Sequence, residues 1–329
     1  MIYLSSNDIK RVFTMRDAID ANKNAFIRQS KKECISPLRT KFDVERGQGE
    51  ALFMPAHIKG LDATGIKIVS VFPNNANKGK PVVPATMVLL DDETGEVTAI
   101  IDGTELTRMR TGALSGAATE ILANENSKVG ALFGTGGQAA SQLEAMLEAR
   151  ALEEVRIYDI DDDRILAFIN EQQDMASARG ARLVPSKSAQ MAVEDADVIT
   201  AVTTSRKPVF PGSMVKQGAH INGIGAFTPE MAELDPQLLL RADKIFIDNR
   251  EAVLSEAGDI IQPVNSGIFS VDRIAGELGE VLEGSLEGRK TESDITVFKS
   301  VGFAALDVVA AQQIVTKARE QGIGLLLDS

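Results

Sequence analysis

Val129-Gly130-Ala131-Leu132-Phe133-Gly134-Thr135-Gly136-Gly137-Gln138-Ala139 is the stretch that decides the fold of this chain. An apolar run breaks at a glycine-rich turn, and Ser141–Arg150 continues with helical spacing. The pattern Gly134-x-Gly136-x-x-Ala139 after a strand and before a helix is the setting of a dinucleotide-binding turn. The first glycine makes the tight turn and the second lets the backbone approach a pyrophosphate. Ala139 keeps helix and strand close, while the helix N-terminus faces the phosphates. Val155–Tyr158 is the next strand, and it stops at Asp159, 20 residues beyond Ala139. A carboxylate there accepts hydrogen bonds from the adenosine ribose hydroxyls. Its charge, backed by Asp161, Asp162 and Asp163, repels a 2′-phosphate, which favours NAD(H) and leaves NADP(H) as the alternative.

Outward from this turn the strand–helix alternation continues. Strands are expected at 182–184, 198–202, 219–224, 244–247 and 295–298, with helices in most of the gaps. The fold class is α/β, a doubly wound parallel sheet. The first third differs. Thr14 and Asp17 form a capping box for a helix reaching about Lys32. Beyond it, Leu38–Val44, Ala51–Ile58, Gly65–Phe72, Ala85–Leu90 and Glu96–Ile101 are short and β-rich. Successive antiparallel strands before any βαβ pattern make a second, α+β domain. A helix follows at about Glu105–Ala123, and a last helix, about Gly302–Gln321, packs back onto this first part. The expected domains are 1–112 plus 304–329, and 113–303 for the dinucleotide. Glu280–Glu292 is a polar, glycine-spaced loop.

Composition narrows the chemistry. The 329 residues carry 35 Lys and Arg against 47 Asp and Glu, a net charge of −12, so nucleic acid and anionic membranes are not expected partners. No apolar stretch is long enough to span a bilayer and Met1–Lys10 lacks a charged-then-apolar signal, which with a single cysteine fits a cytoplasmic protein. Two histidines, one cysteine and no G-x-S-x-G elbow leave no set for a metal centre or a serine hydrolase. His57 and His220 are expected to be structural, and Cys34 a small hydrophobe or a plain thiol.

Three cations stand in unusual settings. Arg39 follows Pro37-Leu38 at a strand start, Lys67 lies inside the apolar strand Gly65–Phe72, and Arg110 sits in the small-residue segment Arg110-Thr111-Gly112-Ala113. Arginine binds a carboxylate with a planar fork and lysine adds a point charge, so three converging cations suit a small anionic substrate.

These segments belong to a wider match. Pro37-Leu38-Arg39-Thr40, Met54-Pro55-Ala56, Lys67 through Phe72-Pro73-Asn74-Asn75 and Asp102-Gly103-x-x-Leu106-Thr107-x-x-Arg110-Thr111 are its first part. The glycine turn, Asn222-Gly223-Ile224-Gly225, Glu233-Leu234-Asp235 and Lys299-Ser300-Val301-Gly302 complete it. In order and spacing the chain resembles the ornithine cyclodeaminase/μ-crystallin family along nearly its full length. The resemblance implies a Rossmann-type domain plus a dimer-forming domain, and a homodimer. It also implies that Arg39, Lys67 and Arg110 hold the substrate carboxylate. Thr111, Gly134, Gly136, Gly137, Gln138, Ala139 and Asp159 would contact the dinucleotide, and Val202, Thr203, Thr204, Gly225, Ser300, Val301 and Gly302 would wall the nicotinamide.

The family is chemically mixed, and the departures choose within it. Cyclodeaminases and the related alanine dehydrogenases carry an aspartate shortly after the glycine matching Gly225, where it engages the substrate amine; this chain has Phe227. Cyclodeaminases also tend to Asn-Gly-His after the lysine, and this chain has Ser70-Val71-Phe72. A phenyl ring forms no salt bridge with an ammonium and cannot act as its base. Gly-Ala-Phe-x-Pro-x-Met resembles the family's reductases of Δ1-pyrroline-2-carboxylate or Δ1-piperideine-2-carboxylate. Phe227 would press on the substrate ring, Lys67 would polarise it or relay a proton, and Asp102 is a second relay unless it only caps the helix at Glu105. Ornithine cyclodeamination or amino-acid dehydrogenation is the alternative, followed by ligand binding without turnover.

Overall fold

The computed structural model describes residues 1–61 and 63–327. They form two compact units, Met1–Arg110 with Phe303–Ser329, and Thr111–Gly302. The chain begins β1 (Ile2–Leu4), α1 (Ser6–Val12), α2 (Met15–Ser30), β2 (Cys34–Ile35), β3 (Thr40–Val44), β4 (Gly49–Ile58), β5 (Ala63–Val71), β6 (Ala85–Leu90) and β7 (Val97–Asp102). It continues α3 (Gly103–Leu122), β8 (Val129–Phe133), α4 (Ala139–Ala149), β9 (Glu154–Tyr158), α5 (Asp162–Ala178), β10 (Arg182–Pro185), α6 (Ala189–Val193) and β11 (Val198–Ala201). Then come β12 (His220–Gly223), α7 (Pro236–Arg241), β13 (Lys244–Ile247), α8 (Arg250–Glu256), α9 (Gly258–Asn265), β14 (Ile274–Glu277) and α10 (Leu278–Leu282). It ends β15 (Thr296–Lys299), α11 (Ala304–Glu320) and β16 (Leu325–Leu326).

The first unit is a sheet ordered β16-β1-β7-β6-β5-β4-β2, with β3 also paired to β4. From β4 to β7 it is an antiparallel meander. Alternation along β5 sends Ala63, Gly65, Lys67 and Val69 to the buried face and leaves Thr64, Ile66, Ile68 and Ser70 on the other. The buried face is covered by α11, which lies on β4, β5 and β6, and α2 packs against α11. Helix α11 is apolar nearly all round, as a helix enclosed on several sides must be. The Thr14–Asp17 capping box starts α2 as expected, and a second box, Ser5 with Asp8, starts α1. The strands β1 and β16, two or three residues long, carry too little periodicity to be foreseen.

The second unit is a parallel sheet ordered β10-β9-β8-β11-β12-β15-β13-β14. The chain winds outward from β8 through β9 to β10, then returns to the far side of β8 for β11 and β12. The expected doubly wound α/β fold is therefore present. Strand direction reverses its progression between β8 and β11, and in such sheets ligands bind beyond the carboxyl ends of the strands at this point. Glu280–Glu292 is more ordered than a loop: α10 occupies its start, and Arg289 donates from Nε to the Leu122 carbonyl at 2.6 Å. No described helix is long and apolar enough to cross a membrane.

Candidate active site

In the first unit, β5 presents Lys67 on its buried face, α3 presents Arg110, and α11 presents Asp307 between them. Lys67 Nζ donates to both Asp307 carboxylate oxygens at 2.8 Å, and Arg110 Nε donates to Oδ1 at 2.9 Å. Lys67 is 1% exposed and Asp307 0%. From α2, Asn22 Nδ2 donates to the Arg110 carbonyl at 2.7 Å and pins that turn of α3. Burial brings Lys67 down to about 7, helped by the charges of Arg110 and Arg39 and opposed by Asp307. Burial pushes Asp307 upward, but Arg110 and Lys67 outweigh it and hold the carboxyl below its usual range. Two cations share one carboxylate, so the pair keeps a net positive charge. One of the five guanidinium donors of Arg110 goes to Asp307, and a fork remains the natural mate of a substrate carboxylate.

Asp102 is not brought to this cluster. It pairs with Thr86 at the end of β7, on the sheet face opposite the one that Lys67, Met87 and Ile101 share. Its Oδ1 accepts the Glu105 N–H at 2.8 Å, so it caps α3. Asp307 was the residue to find instead. A lone acid in the apolar run Phe303–Ala311 is its only mark in the sequence.

In the second unit the expected cofactor residues other than Thr111, which lies in α3, follow the carboxyl ends of β8, β9, β11, β12 and β15. Gly134 has φ +98°, a conformation costly for other residues, and its N–H donates to the Tyr158 carbonyl at 2.8 Å. A Cβ on Gly137 meets no neighbouring atom within 4 Å, and one on Gly136 meets only Arg164 Nη2, at 3.9 Å. No side chain caps the first N–H groups of α4, and Gln138 Oε1 is buried without a partner among the described residues. An open glycine turn and uncapped N–H groups at a helix start fit a dinucleotide pyrophosphate, while an orphaned acceptor fits a hydroxyl or amide donor of the same ligand. Thr111 gives its carbonyl to Gln142 Nε2 at 2.9 Å, which ties α3 to α4.

Asp159 does more than face a ribose. Its Oδ2 accepts Thr135 N–H at 2.8 Å and Thr135 Oγ1 at 2.7 Å, so it also holds the glycine turn in shape. Burial pushes its carboxyl upward, but the Thr135 bonds and the Arg164 charge outweigh that and keep it low. Arg164, five residues beyond Asp159 in the first turn of α5, was not foreseen beside the glycine turn.

The other walls hang from buried carboxylates. Glu233 accepts N–H groups of Thr203, of Gly225 at 2.6 Å and of Ala226 at 2.9 Å, joining the loops after β11 and β12. A Cβ on Gly225 would lie 2.1 Å from the Thr203 carbonyl oxygen, so only glycine allows these loops to meet. Asp259 accepts Glu233 N–H at 2.6 Å and pairs with Lys299 at 2.7 Å. Burial pushes Glu233 up to about 7, and Asp259 adds to this against the pull of Lys299. Asp248 Oδ2 gathers Ser300 Oγ at 2.6 Å, Val301 N–H at 3.1 Å and Gly302 N–H at 2.7 Å. Phe227, two residues past Gly225, is partly buried against the apolar core of this unit.

His220 is fully buried between Thr296 Oγ1 and Asn222 Oδ1, each at 3.0 Å, and burial takes it down to about 3; it is a neutral structural group. Burial pushes the Cys34 thiol up to about 12, the opposite of an activated nucleophile. Among the described residues no group of three or more His, Cys, Asp and Glu is placed to hold a metal ion.

A doubly wound sheet with an open glycine turn, and a buried cluster of Lys67, Arg110 and Asp307, fit a dinucleotide-dependent enzyme of small organic acids. The chain belongs to the ornithine cyclodeaminase/mu-crystallin family, whose family model matches residues 1–322. The Δ1-pyrroline-2-carboxylate reductase of Bacillus cereus (strain ZK / E33L) is 37% identical over 324 residues, covering 98% of each chain. The solved structure of Thermococcus litoralis Δ1-pyrroline-2-carboxylate reductase in complex with NADH and L-proline matches with TM-score 0.94 and 37% identity, covering 99% of this chain and 100% of that one. An archaeal alanine dehydrogenase dimer with bound NAD matches with TM-score 0.91 and 33% identity, covering 100% and 99%.

Proposed function

We propose that this protein reduces a cyclic ketimine carboxylate, Δ1-pyrroline-2-carboxylate or its six-membered homologue, to L-proline or L-pipecolate with NADH. The observation that carries this reading is the buried pair Lys67 and Arg110, a site built for one small carboxylate. Relatives named for this reduction, one of them solved with NADH and L-proline, support the substrate and cofactor. Phe227 supports reduction of an imine over chemistry on an amine, because it stands where the amine-engaging aspartate of the cyclodeaminases and alanine dehydrogenases would fall.

Arg39, Lys67 and Arg110 would fix the substrate carboxylate, and Phe227 would lie along its apolar ring. Charge-assisted hydrogen bonds in a desolvated site are about twice as strong as neutral ones, so orientation comes from these few contacts. Bound NADH supplies a hydride to the imine carbon. The imine nitrogen gains one proton, and a protonated imine is already electrophilic, so the chain needs to hold and relay a proton more than to generate a strong acid. Lys67 Nζ would be the group that does so. Gly136, Gly137 and the start of α4 would take the pyrophosphate and Asp159 the ribose hydroxyls, with Val202–Thr204, Gly225 and Ser300–Gly302 around the nicotinamide.

The assembly we propose is a homodimer through the outer face of the first unit's sheet. There Phe42 stacks on Phe53 with ring centroids 5.6 Å apart, and Phe42 and Ile68 are 54% and 40% exposed. Contiguous exposed apolar surface of this kind marks an interface.

The test is absorbance of reduced nicotinamide with purified protein, Δ1-pyrroline-2-carboxylate and NADH or NADPH in turn, beside L-ornithine with catalytic NAD read for ammonia. Cofactor oxidation without ammonia from ornithine is expected. Ammonia and proline with no net cofactor change would replace reduction by cyclodeamination.

A further inference from the structure

Lys67 and Arg110 are held from behind by a side chain that neither the glycine turn nor the carboxylate-binding motifs contain. Asp307 is the fourth residue of α11 and reaches the buried face of β5, where it takes Lys67 Nζ on both oxygens and Arg110 Nε on one. The cross-strand neighbours of Lys67 are Met54 and Met87, both apolar, and Asn22 of α2 is uncharged. Arg39, Arg110 and Asp307 are therefore the charges that act on Lys67, and Arg110 and Lys67 those that act on Asp307. In this dry setting a carboxylate fixes the direction of an ammonium and of a guanidinium plane, which water would leave free. It also favours the protonated form of the lysine it faces.

We infer that Asp307 is the positioning residue of the carboxylate site, orienting Lys67 and Arg110 and keeping the Lys67 proton available to the substrate. This rests on the reading of those two cations as the substrate's carboxylate site. Asp307 touches neither substrate nor cofactor and acts through its two partners. Its removal has a defined sign: without the negative charge, Lys67 loses its proton at lower pH, and both cations lose their fixed geometry.

The experiment uses the full-length protein, with kcat and KM for Δ1-pyrroline-2-carboxylate and NADH followed from about pH 5 to about pH 9. Asp307→Asn is expected to move the alkaline limb of kcat/KM down by about one pH unit or more and to raise KM about tenfold or more. NADH affinity, read by fluorescence, is expected to stay within about twofold. A folded Asp307→Asn protein with the wild-type limb and KM overturns the assignment, whatever its melting temperature. Should that variant not fold, Asp307→Glu decides. It keeps the charge but displaces both cations by a methylene, so the limb stays near wild type while KM rises about tenfold; an unchanged KM overturns the assignment. Wild-type protein that does not oxidise NADH with this substrate refutes the underlying reading itself, a result distinct from any behaviour of the variants.

Discussion

Asp159→Ser tests the cofactor reading, because one carboxylate serves both the turn and the ribose. In the folded protein Asp159 spends Oδ2 on Thr135 N–H and Oγ1, while Oδ1 takes, among the described residues, the Asp161 N–H at 3.3 Å. Ribose hydroxyls would bond the remaining lone pairs, and a hydrogen bond to a charged acceptor contributes about 1.5–3 kcal/mol. Losing it weakens NADH binding about 10- to 100-fold. The effect on NADPH has the opposite sign. Two unit charges about 5 Å apart at an effective dielectric of about 20 repel by about 3 kcal/mol. Half-exposure and salt reduce this to about 1–1.5 kcal/mol, or about tenfold in affinity. With Arg164 beside the turn to meet a 2′-phosphate, the ratio of NADPH to NADH affinity should rise about 100- to 1,000-fold. Fluorescence titration of both cofactors at two ionic strengths reads this, and the NADPH gain should shrink at the higher salt. A ratio unmoved by the substitution would mean that Asp159 shapes the turn through Thr135 and does not select the cofactor.

Lys67→Ala and Arg110→Ala should each lose at least about 100-fold in kcat/KM while NADH still binds, and steady-state kinetics beside fluorescence titration would show it; near wild-type turnover in either places the carboxylate elsewhere. Lys67 titrates near 7 in the free protein and works protonated, so kcat/KM should fall as pH rises through about 7. Lys67→Arg, which keeps its charge, should abolish that limb in a pH–rate profile even where it slows turnover. The same depressed pKa penalises the fold: the folded state resists protonating Lys67, so the stability tied to its neutral form is lost as pH drops from the ordinary lysine value of 10.5 to about 7 and is level below that, a trend for thermal melts to follow. Phe42→Asp with Ile68→Asp should convert the dimer to monomer in light scattering, and a dimer that survives both charges refutes the proposed face.

The fold was legible where local chemistry and global architecture agree. The glycine turn is such a place, since strand, turn and helix each carry their own signal and only one supersecondary unit satisfies all three. The Thr14–Asp17 box is another. What stayed hidden depends on long-range pairing. Strand β14 follows a helical stretch and adds to the sheet edge beside β13, a neighbour set by tertiary packing and not by local pattern. The site divided along the same line. Lys67, Arg110 and the glycine turn announce themselves as polar or small residues in the wrong surroundings. Asp307, Glu233 and Asp248 are single acids whose meaning lies in partners 240, 30 and 52 residues away in the chain. Asp102 misled because a helix cap and a proton relay use the same residue at the same place in sequence, and only the face of the sheet separates them.

These buried acids share a logic that stability does not explain. Burying two cations and a carboxylate costs several kcal/mol per ion in desolvation, and a well-packed apolar replacement of such a group is often neutral or stabilising by about 1–4 kcal/mol. A triad buried among β5, α3 and α11, with only the edge of Arg110 exposed, is therefore a poor way to hold a helix to a sheet. It is a good way to keep an ammonium and a guanidinium desolvated, aligned and still net positive before a carboxylate arrives, so that little reorganisation remains to be done on binding. Asp248 and Glu233 do for backbone loops what Asp307 does for side chains. Each gathers three donors from strand-end segments and fixes the walls of the expected nicotinamide site without touching it. On the proposed reading, the charged groups in the interior of both units preorganise the two sites before substrate and cofactor bind.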